Sequence, residues 1–334
     1  MDINLLCLVK ETCGLDKHLK QKKLHDSFFY LRGGKSMKKV MILLMVLLVM
    51  VGCSDQNDKV KIGVIQLADH PSLNATYAGM KEVLDEKYGE DGYELTYQNA
   101  LGDNANLMLM AQKLVDDGSD LIYAIATSAA QTAMSVTEGK EIPVIYNAVT
   151  DPISAGLQGE WIAGVSDMAP IDKQLNLIKE ILPEVKSIGI LYNTGEDNSL
   201  IQIEMVTDKA LEIGLEVIAV GVSSPSDIET AASQLVKKVD ALFNITDNMV
   251  VSATSQVVNV ANQANIPVFA SEVGQFDQGI LATESIDYFD LGLMAGEMIY
   301  NVLTSEVSIK DLDHMVSEDT VLYFNLDVAE KLGI

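Results

Sequence analysis

The sequence predicts an α/β protein built as two doubly wound parallel-sheet lobes in series, joined by a hinge that the chain crosses three times. Three observations predict it. From Val60 onward, short β-rich apolar runs alternate with amphipathic stretches, the pattern of a parallel sheet covered by helices. The pattern occurs twice: Ile62-Gly63-Val64-Ile65 matches Ile188-Gly189-Ile190-Leu191, Asp120-Leu121-Ile122 matches Asp240-Ala241-Leu242, and Ile142-Pro143-Val144 matches Ile266-Pro267-Val268. The offsets stay between 120 and 126 residues, a constancy that chance apolar matches lack. Finally, the residues after the second set are too few for a third core. They must complete the first two, which sends the chain across near 166–171, 285–288 and 306–317.

In the first lobe, strands are predicted over 60–67, 93–99, 120–126, 142–147 and 161–166, with helices over 74–88, 104–117 and 128–137. Leu107, Met110, Ala111 and Leu114 give the second helix one apolar face, and Pro143 punctuates the entry to the fourth strand. In the second lobe, strands fall over 187–192, 216–220, 240–246, 266–270 and 279–283, with helices over 200–213, 226–237 and 248–264. The next helix, 288–303, carries Gly292, Ala295 and Gly296, small residues that allow close packing. After an acidic loop over 310–319 come a strand over 321–325 and a short helix over 326–332. Residues 60–168 and 287–308 are thereby assigned to lobe 1, and 169–286 and 309–334 to lobe 2.

Ahead of both lobes stands Met37-Lys38-Lys39, an uncharged apolar run over 40–51, and Gly52-Cys53. Two lysines, twelve apolar residues, a small residue and a cysteine spell an export signal over 37–52 ending in a lipobox. The run is shorter than the roughly 20 residues needed to span a bilayer. Cleavage before Cys53 leaves a thiol that can carry lipid, and places the rest of the chain outside the cytoplasm. Residues 1–36 precede a signal that ought to begin the chain, and are expected to be upstream sequence ahead of the true initiator, Met37. Mass spectrometry of the native protein tests both expectations: peptides from before Met37 refute the start, and a peptide running unmodified through Cys53 refutes the cleavage.

Beyond residue 52 the chain holds 14 basic and 44 acidic residues, a formal charge of about −30. So acidic a surface repels nucleic acid, and it offers no basic stripe to neutralise phosphates. Cys53 is the last cysteine, which excludes a disulfide, a thiolate metal site or a cysteine nucleophile from the lobes. His70 and His314 are the two histidines there, too few and too far apart for a recognisable metal-ligand spacing. There is no Gly-x-Gly-x-x-Gly after the first strand, no phosphate-binding loop and no Gly-x-Ser-x-Gly elbow. No catalytic residue, metal or cofactor is predicted.

Ligands of open parallel sheets bind beyond the carboxyl ends of the strands, and here those ends are polar. They read His70-Pro71-Ser72-Leu73-Asn74, Thr127-Ser128, Asn147 to Asp151, Tyr192-Asn193, Thr246-Asp247-Asn248, Ser271-Glu272 and Asp287-Tyr288. Thr127 and Ser128 open a helix, where free N–H groups favour an anion such as a carboxylate. The equivalent turn of the second lobe offers Asp247, a carboxylate for an ammonium, and the pair suits a zwitterion. Taken singly, each of these side chains is as well explained by helix capping or a turn. Their weight comes from falling at one end of two sheets.

These residues also carry a resemblance. The chain from Val60 to Ile334 resembles the extracytoplasmic substrate-binding proteins of ABC importers, in the tryptophan/tyrosine-type subfamily with the type I periplasmic-binding fold. The motifs are Ile62-Gly63-Val64-Ile65-Gln66 with His70-Pro71-Ser72-Leu73, Ala126-Thr127-Ser128-Ala129-Ala130, Val149-Thr150-Asp151-Pro152, Leu191-Tyr192-Asn193, Thr246-Asp247-Asn248, Ser271-Glu272 and Asp287-Tyr288. The stretch Thr194-Gly195-Glu196-Asp197-Asn198 departs from the family pattern at Gly195. The resemblance implies a receptor, not an enzyme, that closes on a small solute, favouring an aromatic amino acid. It would be tethered through lipid on Cys53 and would deliver the solute to an ABC permease and its ATPase. It implies a binding set of Gln66, His70, Ser72, Leu73, Thr127, Ser128, Asn147, Asp151, Tyr192, Asn193, Asp247, Asn248, Glu272 and Asp287. Thr127 and Ser128 would take the carboxylate and Asp247 the ammonium, with Asn147, Asn248 and Glu272 assisting. A nucleoside, a sugar or another small solute remains the alternative ligand, and a ligand-sensing module of the same fold the alternative role.

Overall fold

A computed structural model of the protein describes residues 59–317 and 319–334; the expected start at Met37, the signal over 37–52 and Cys53 lie outside the described residues. The first half runs β1 (Val60–Gln66), α1 (Pro71–Tyr88), β2 (Tyr93–Asn99), α2 (Asn104–Asp116), β3 (Leu121–Ile125), α3 (Thr127–Thr137), β4 (Val144–Val149) and β5 (Ile162–Ser166). The second runs α4 (Ile171–Ile181), β6 (Ser187–Asn193), α5 (Asp197–Glu212), β7 (Glu216–Val222), α6 (Ile228–Leu235), β8 (Ala241–Asn244), α7 (Asn248–Ser252), α8 (Thr254–Ala264), β9 (Val268–Ala270) and β10 (Ala282–Ser285). The chain ends with α9 (Tyr288–Leu303), β11 (Met315–Val316), β12 (Val321–Phe324) and α10 (Leu326–Leu332).

Two six-stranded sheets result, ordered β11-β5-β4-β3-β1-β2 and β12-β10-β9-β8-β6-β7. Every pair is parallel except β10 with β12. The central strands are apolar along their length because helices cover both faces, and all five residues of β3 and all six of β4 are buried. In the second lobe the two faces separate into two cores: Ile188, Ile190 and Phe243 point one way, Leu191 and Leu242 the other, as the two-residue strand period requires.

The duplicated motifs do the same work in both lobes. Gly63 on β1 and Gly189 on β6 sit where a helix presses on the sheet: an added Cβ would lie 3.1 Å from Leu114 Cβ in one and 2.8 Å from Leu235 Cγ in the other. Asp120 accepts the Lys61 N–H at 2.8 Å, and Asp240 accepts the N–H groups of Lys186 and Ser187, both at 2.9 Å. Each aspartate ties the start of one central strand to the start of its neighbour. Lobe 1 has an added device. α1 and α9 touch backbone to backbone at Gly79 and Gly292, whose Cβ atoms would fall 2.2 Å from Phe289 O and 2.3 Å from Thr76 O.

Four elements differ from expectation. The helix expected from residue 74 begins at Pro71, whose missing N–H costs nothing in a first turn. The helix expected over 248–264 breaks at Ala253 (φ −110°, ψ 14°) into α7 and α8, with the Thr254 hydroxyl 2.8 Å from both Val251 O and Gln275 Oε1. The amphipathic α4, with Ile171, Gln174, Leu175 and Ile178 buried, was not predicted. The tail after residue 308, assigned whole to lobe 2, is shared: Ile309 packs in the first core and β11 pairs with β5, while β12 joins the second sheet. The third crossing therefore lies over 317–320.

Candidate functional site

The carboxyl ends of the two sheets face each other across a cleft whose walls are in contact. His70 Nε2 lies 3.2 Å from Asn248 Oδ1, Gln131 donates to Asp197 Oδ2 at 3.0 Å, and Gln202 donates to Thr150 Oγ1 at 3.4 Å. A small inner cavity of about 10 Å³, room for about one water, lies between the lobes. Lobe 1 lines it with His70, Leu73, Thr127, Ala148, Thr150, Asp167 and Tyr288, and lobe 2 with Asn198, Thr246, Asn248, Val251 and Glu272. An outer cavity of about 360 Å³ opens beyond, with Ser128, Asn193, Glu196 and Asn248 among its walls.

Of the residues predicted from sequence, His70, Leu73, Thr127, Asn248 and Glu272 meet on the inner cavity, and Ser128 and Asn193 on the outer one. The others do not line either. Asp247, expected to hold an ammonium, spends its carboxylate inside lobe 2: it caps α7 through Val250 N–H at 2.9 Å and accepts from Ser199 Oγ at 2.7 Å and from the Asn193 N–H. Asn147 donates to Tyr123 OH at 2.9 Å and Leu291 O at 2.8 Å, and accepts from the Ala148 N–H at 2.7 Å. Gln66 donates to Ala68 O and Asn74 Oδ1. Asp151 closes a turn on Ile153 and Ser154, and Asp287 caps α9 through Phe289 and Asp290. Ser72 is buried against Gly274, and Tyr192 packs on the second core. For Asp247, Asp151 and Asp287 these are the capping and turn roles that aspartate favours on its own.

The binding set named from sequence left out Ala148, Thr150, Thr246 and Tyr288, which the polar strand ends contain, and Asn198, in the stretch that departs from the family pattern; Asp167 and Val251 were missed altogether. Thr150 and Thr246 immediately precede two of the predicted acids, Asp151 and Asp247. In each pair the threonine one or two residues past the strand lines the cavity, while the acid after it turns back onto its own following backbone. Ala148 sits at φ 53° and Ala126, before α3, at φ 85°, left-handed conformations for non-glycine residues on either side of the lobe 1 wall. No periodicity or composition signals such a backbone.

The electrostatics are one-sided. No lysine or arginine lines the inner cavity, yet two carboxylates do. Burial pushes Glu272 up to about 7. Burial also raises Asp167, against hydrogen bonds from Tyr288 OH (2.9 Å) and Thr150 (3.2 Å). Behind them burial, and then the charge of Glu196, raises Asp247. Glu272 Oε1 has no hydrogen-bond partner. A buried carboxylate without a cation is costly, and a bound cation relieves that cost. On the facing wall the free N–H groups at the start of α3 suit the opposite charge. Burial lowers His70 to about 4, so its ring is neutral near pH 7. Among the described residues no cluster of three or more metal-ligating side chains occurs, and no helix is long and apolar enough to cross a membrane.

Comparison with known proteins agrees with this geometry. The family model for ABC transporter substrate binding proteins matches residues 61–334. A tyrosine-binding protein of Clostridioides difficile is 40% identical over 289 residues, covering 84% of this chain and 83% of its own. Two solved structures share 36% identity, each covering 82% of this chain and 95% of its own. One, an ABC domain of Streptococcus pneumonia in complex with L-Trp, superposes with a TM-score of 0.79. The other, a ligand-free, open substrate-binding protein with adhesive properties from Clostridium difficile, gives 0.63. At equal identity and coverage, this chain superposes better on the L-Trp complex than on the ligand-free, open structure.

Proposed function

Because the chain belongs to the ABC transporter substrate-binding proteins, we propose that it captures an aromatic amino acid, tyrosine or tryptophan, between its lobes and presents it to an ABC permease driven by an ATPase. The observation that carries this is the buried Glu272 carboxylate beside Asp167, with Oε1 unpartnered and no lysine or arginine on the cavity. An α-ammonium supplies the missing cation there, and the N-terminus of α3 at Thr127 receives the α-carboxylate. The names of the C. difficile relative and of the L-Trp complex support the choice of an aromatic side chain. The role is that of a receptor: it binds and releases its solute unchanged. As an importer's receptor the protein works outside the cytoplasm, and lipid on Cys53 would tether it to the membrane.

Thermal denaturation of residues 54–334 against amino acids, nucleosides and sugars tests the ligand. A solute at about 100 times its dissociation constant adds about 2.7 kcal/mol. Tyrosine and tryptophan should raise the midpoint and glucose or adenosine leave it unchanged. A shift with nucleosides or sugars alone would keep the receptor and discard the amino acid.

A further inference from the structure

His70 reaches across the cleft to Asn248, and the chemistry of that contact fixes where the imidazole carries its proton. Glu196, within the stretch that departs from the family pattern, accepts on both oxygens. Oε2 takes the N–H of Asn248 at 3.0 Å and its side-chain Nδ2 at 2.6 Å; Oε1 takes Met249 N–H at 3.2 Å and Asn193 Nδ2 at 3.1 Å. A carboxylate so used only accepts, so the carboxamide of Asn248 must turn its NH₂ toward Glu196 and its oxygen toward His70. That oxygen in turn only accepts, so His70 Nε2 bears the hydrogen, and Nδ1 of the neutral ring is left with a lone pair. Nδ1 is buried and has no partner in the protein, while His70 lines the inner cavity with Leu73 and Val251. A buried acceptor without a donor is costly unless the ligand brings one.

We propose that His70 Nδ1 accepts a hydrogen bond from the side-chain ring of the bound solute, and that Glu196, acting through Asn248, is the positioning residue that sets this acceptor. The inference rests on the aromatic amino-acid reading above. There the ammonium is taken up by Glu272 and Asp167, so the donor left for His70 is the phenol O–H of tyrosine or the indole N–H of tryptophan. Phenylalanine has none. The site then selects tyrosine or tryptophan over phenylalanine. Because the His70–Asn248 contact joins the two lobes, it exists only when the cleft is shut, and selection is made at closure.

Calorimetric titration of the whole protein with tyrosine, tryptophan and phenylalanine tests it. Tyrosine or tryptophan should bind on the order of 10²-fold tighter than phenylalanine, since a site built around a hydrogen bond rejects the analogue lacking it. His70→Leu should bring that ratio to within about 3-fold by weakening the donor-bearing ligand, and Glu196→Gln should shrink it by freeing the Asn248 carboxamide. Nitrogen-15 spectra of the ligand-saturated wild-type protein read the tautomer directly, whether or not a variant folds. Nε2–H with an accepting Nδ1 is expected; an Nδ1–H tautomer overturns the inference. Equal affinity for phenylalanine overturns it too, as does a ratio untouched in a folded His70→Leu protein, and either result leaves the aromatic receptor standing. Binding of none of the three would sink the aromatic reading and this inference with it.

Discussion

The two lobes share a scaffold and divide the chemistry. Five strands run in equivalent order in both, and the glycine and aspartate that seat the central strands recur at Gly63 and Gly189, Asp120 and Asp240. The edges that meet in the cleft have diverged. Lobe 1 contributes a helix N-terminus, a neutral histidine and two alanines held at positive φ; Asp167, its one acid on the cavity, stands at the first crossing. Lobe 2 contributes Glu272 and, just behind the wall, Glu196 and Asp247. A duplicated fold thus keeps the residues that hold strands in place and changes those that face the ligand. Lobe 1 brings a helix N-terminus to the cavity, and the two cavity acids come from lobe 2 and from the crossing.

That contrast can be broken first at the packing peculiar to lobe 1. Gly292→Val puts new atoms where Thr76 O already sits, 2.3 Å from the first added carbon. Parting α1 from α9 should cost about 3 kcal/mol or more in urea unfolding of the ligand-free protein. The shared frame gives a smaller and graded effect. Asp240 accepts from two backbone N–H groups and the Ser187 hydroxyl, whereas Asp120 accepts from one N–H. Asp240→Ala should therefore cost about 2 kcal/mol and Asp120→Ala about 1 kcal/mol. Equal costs would show the duplication to be one of shape only.

A third effect is a difference in pH response. Glu272 holds its proton to about 7 in the folded protein against 4.5 ordinarily, so the folded state binds more protons across that window. Its contribution to stability falls as pH rises from 4.5 to 7. His70 behaves in the opposite sense. The unfolded chain takes up a proton below 6.5 and the folded one only near 4, so stability is lost as pH falls through that range. The two lobes therefore oppose each other in the ligand-free protein. Glu272→Gln should remove the decline with pH and leave the rise due to His70, a change of about 2 kcal/mol between pH 5 and 7 in thermal or urea melts. A profile unaltered by the substitution would mean that Glu272 is already compensated.

Most of the scaffold was legible because it is written in periodicity and repetition. The ten strands up to residue 285, the first two crossings and the close packing around Gly292 follow from apolar runs and small residues alone. The missed α4 carries an ordinary buried stripe at Ile171, Leu175 and Ile178, so the signal was present and overlooked. β11 is two exposed residues long and offers none. The site was legible to the neighbourhood and not to the residue. Thr150 beside Asp151 and Thr246 beside Asp247 show why: which of two adjacent polar side chains faces the cleft depends on where the strand stops and the cap begins. Acids at such corners look like ligands for a cation, and in Asp247 and Asp151 they are occupied by their own backbone. Asp167, which does face the cavity, stands at a crossing with no motif to mark it.

The placement of β11 and β12 on different sheets has a mechanical meaning. Only five chain steps separate Val316 in the first sheet from Val321 in the second, and three separate Ser285 from Tyr288. Fully extended, those leashes reach about 17 Å and about 10 Å. The lobes are therefore not free to drift apart along the edge where the chain passes between them, whatever solute arrives or leaves. They can only swing, like covers on a spine, and the length of polypeptide in the spine sets how wide the book opens.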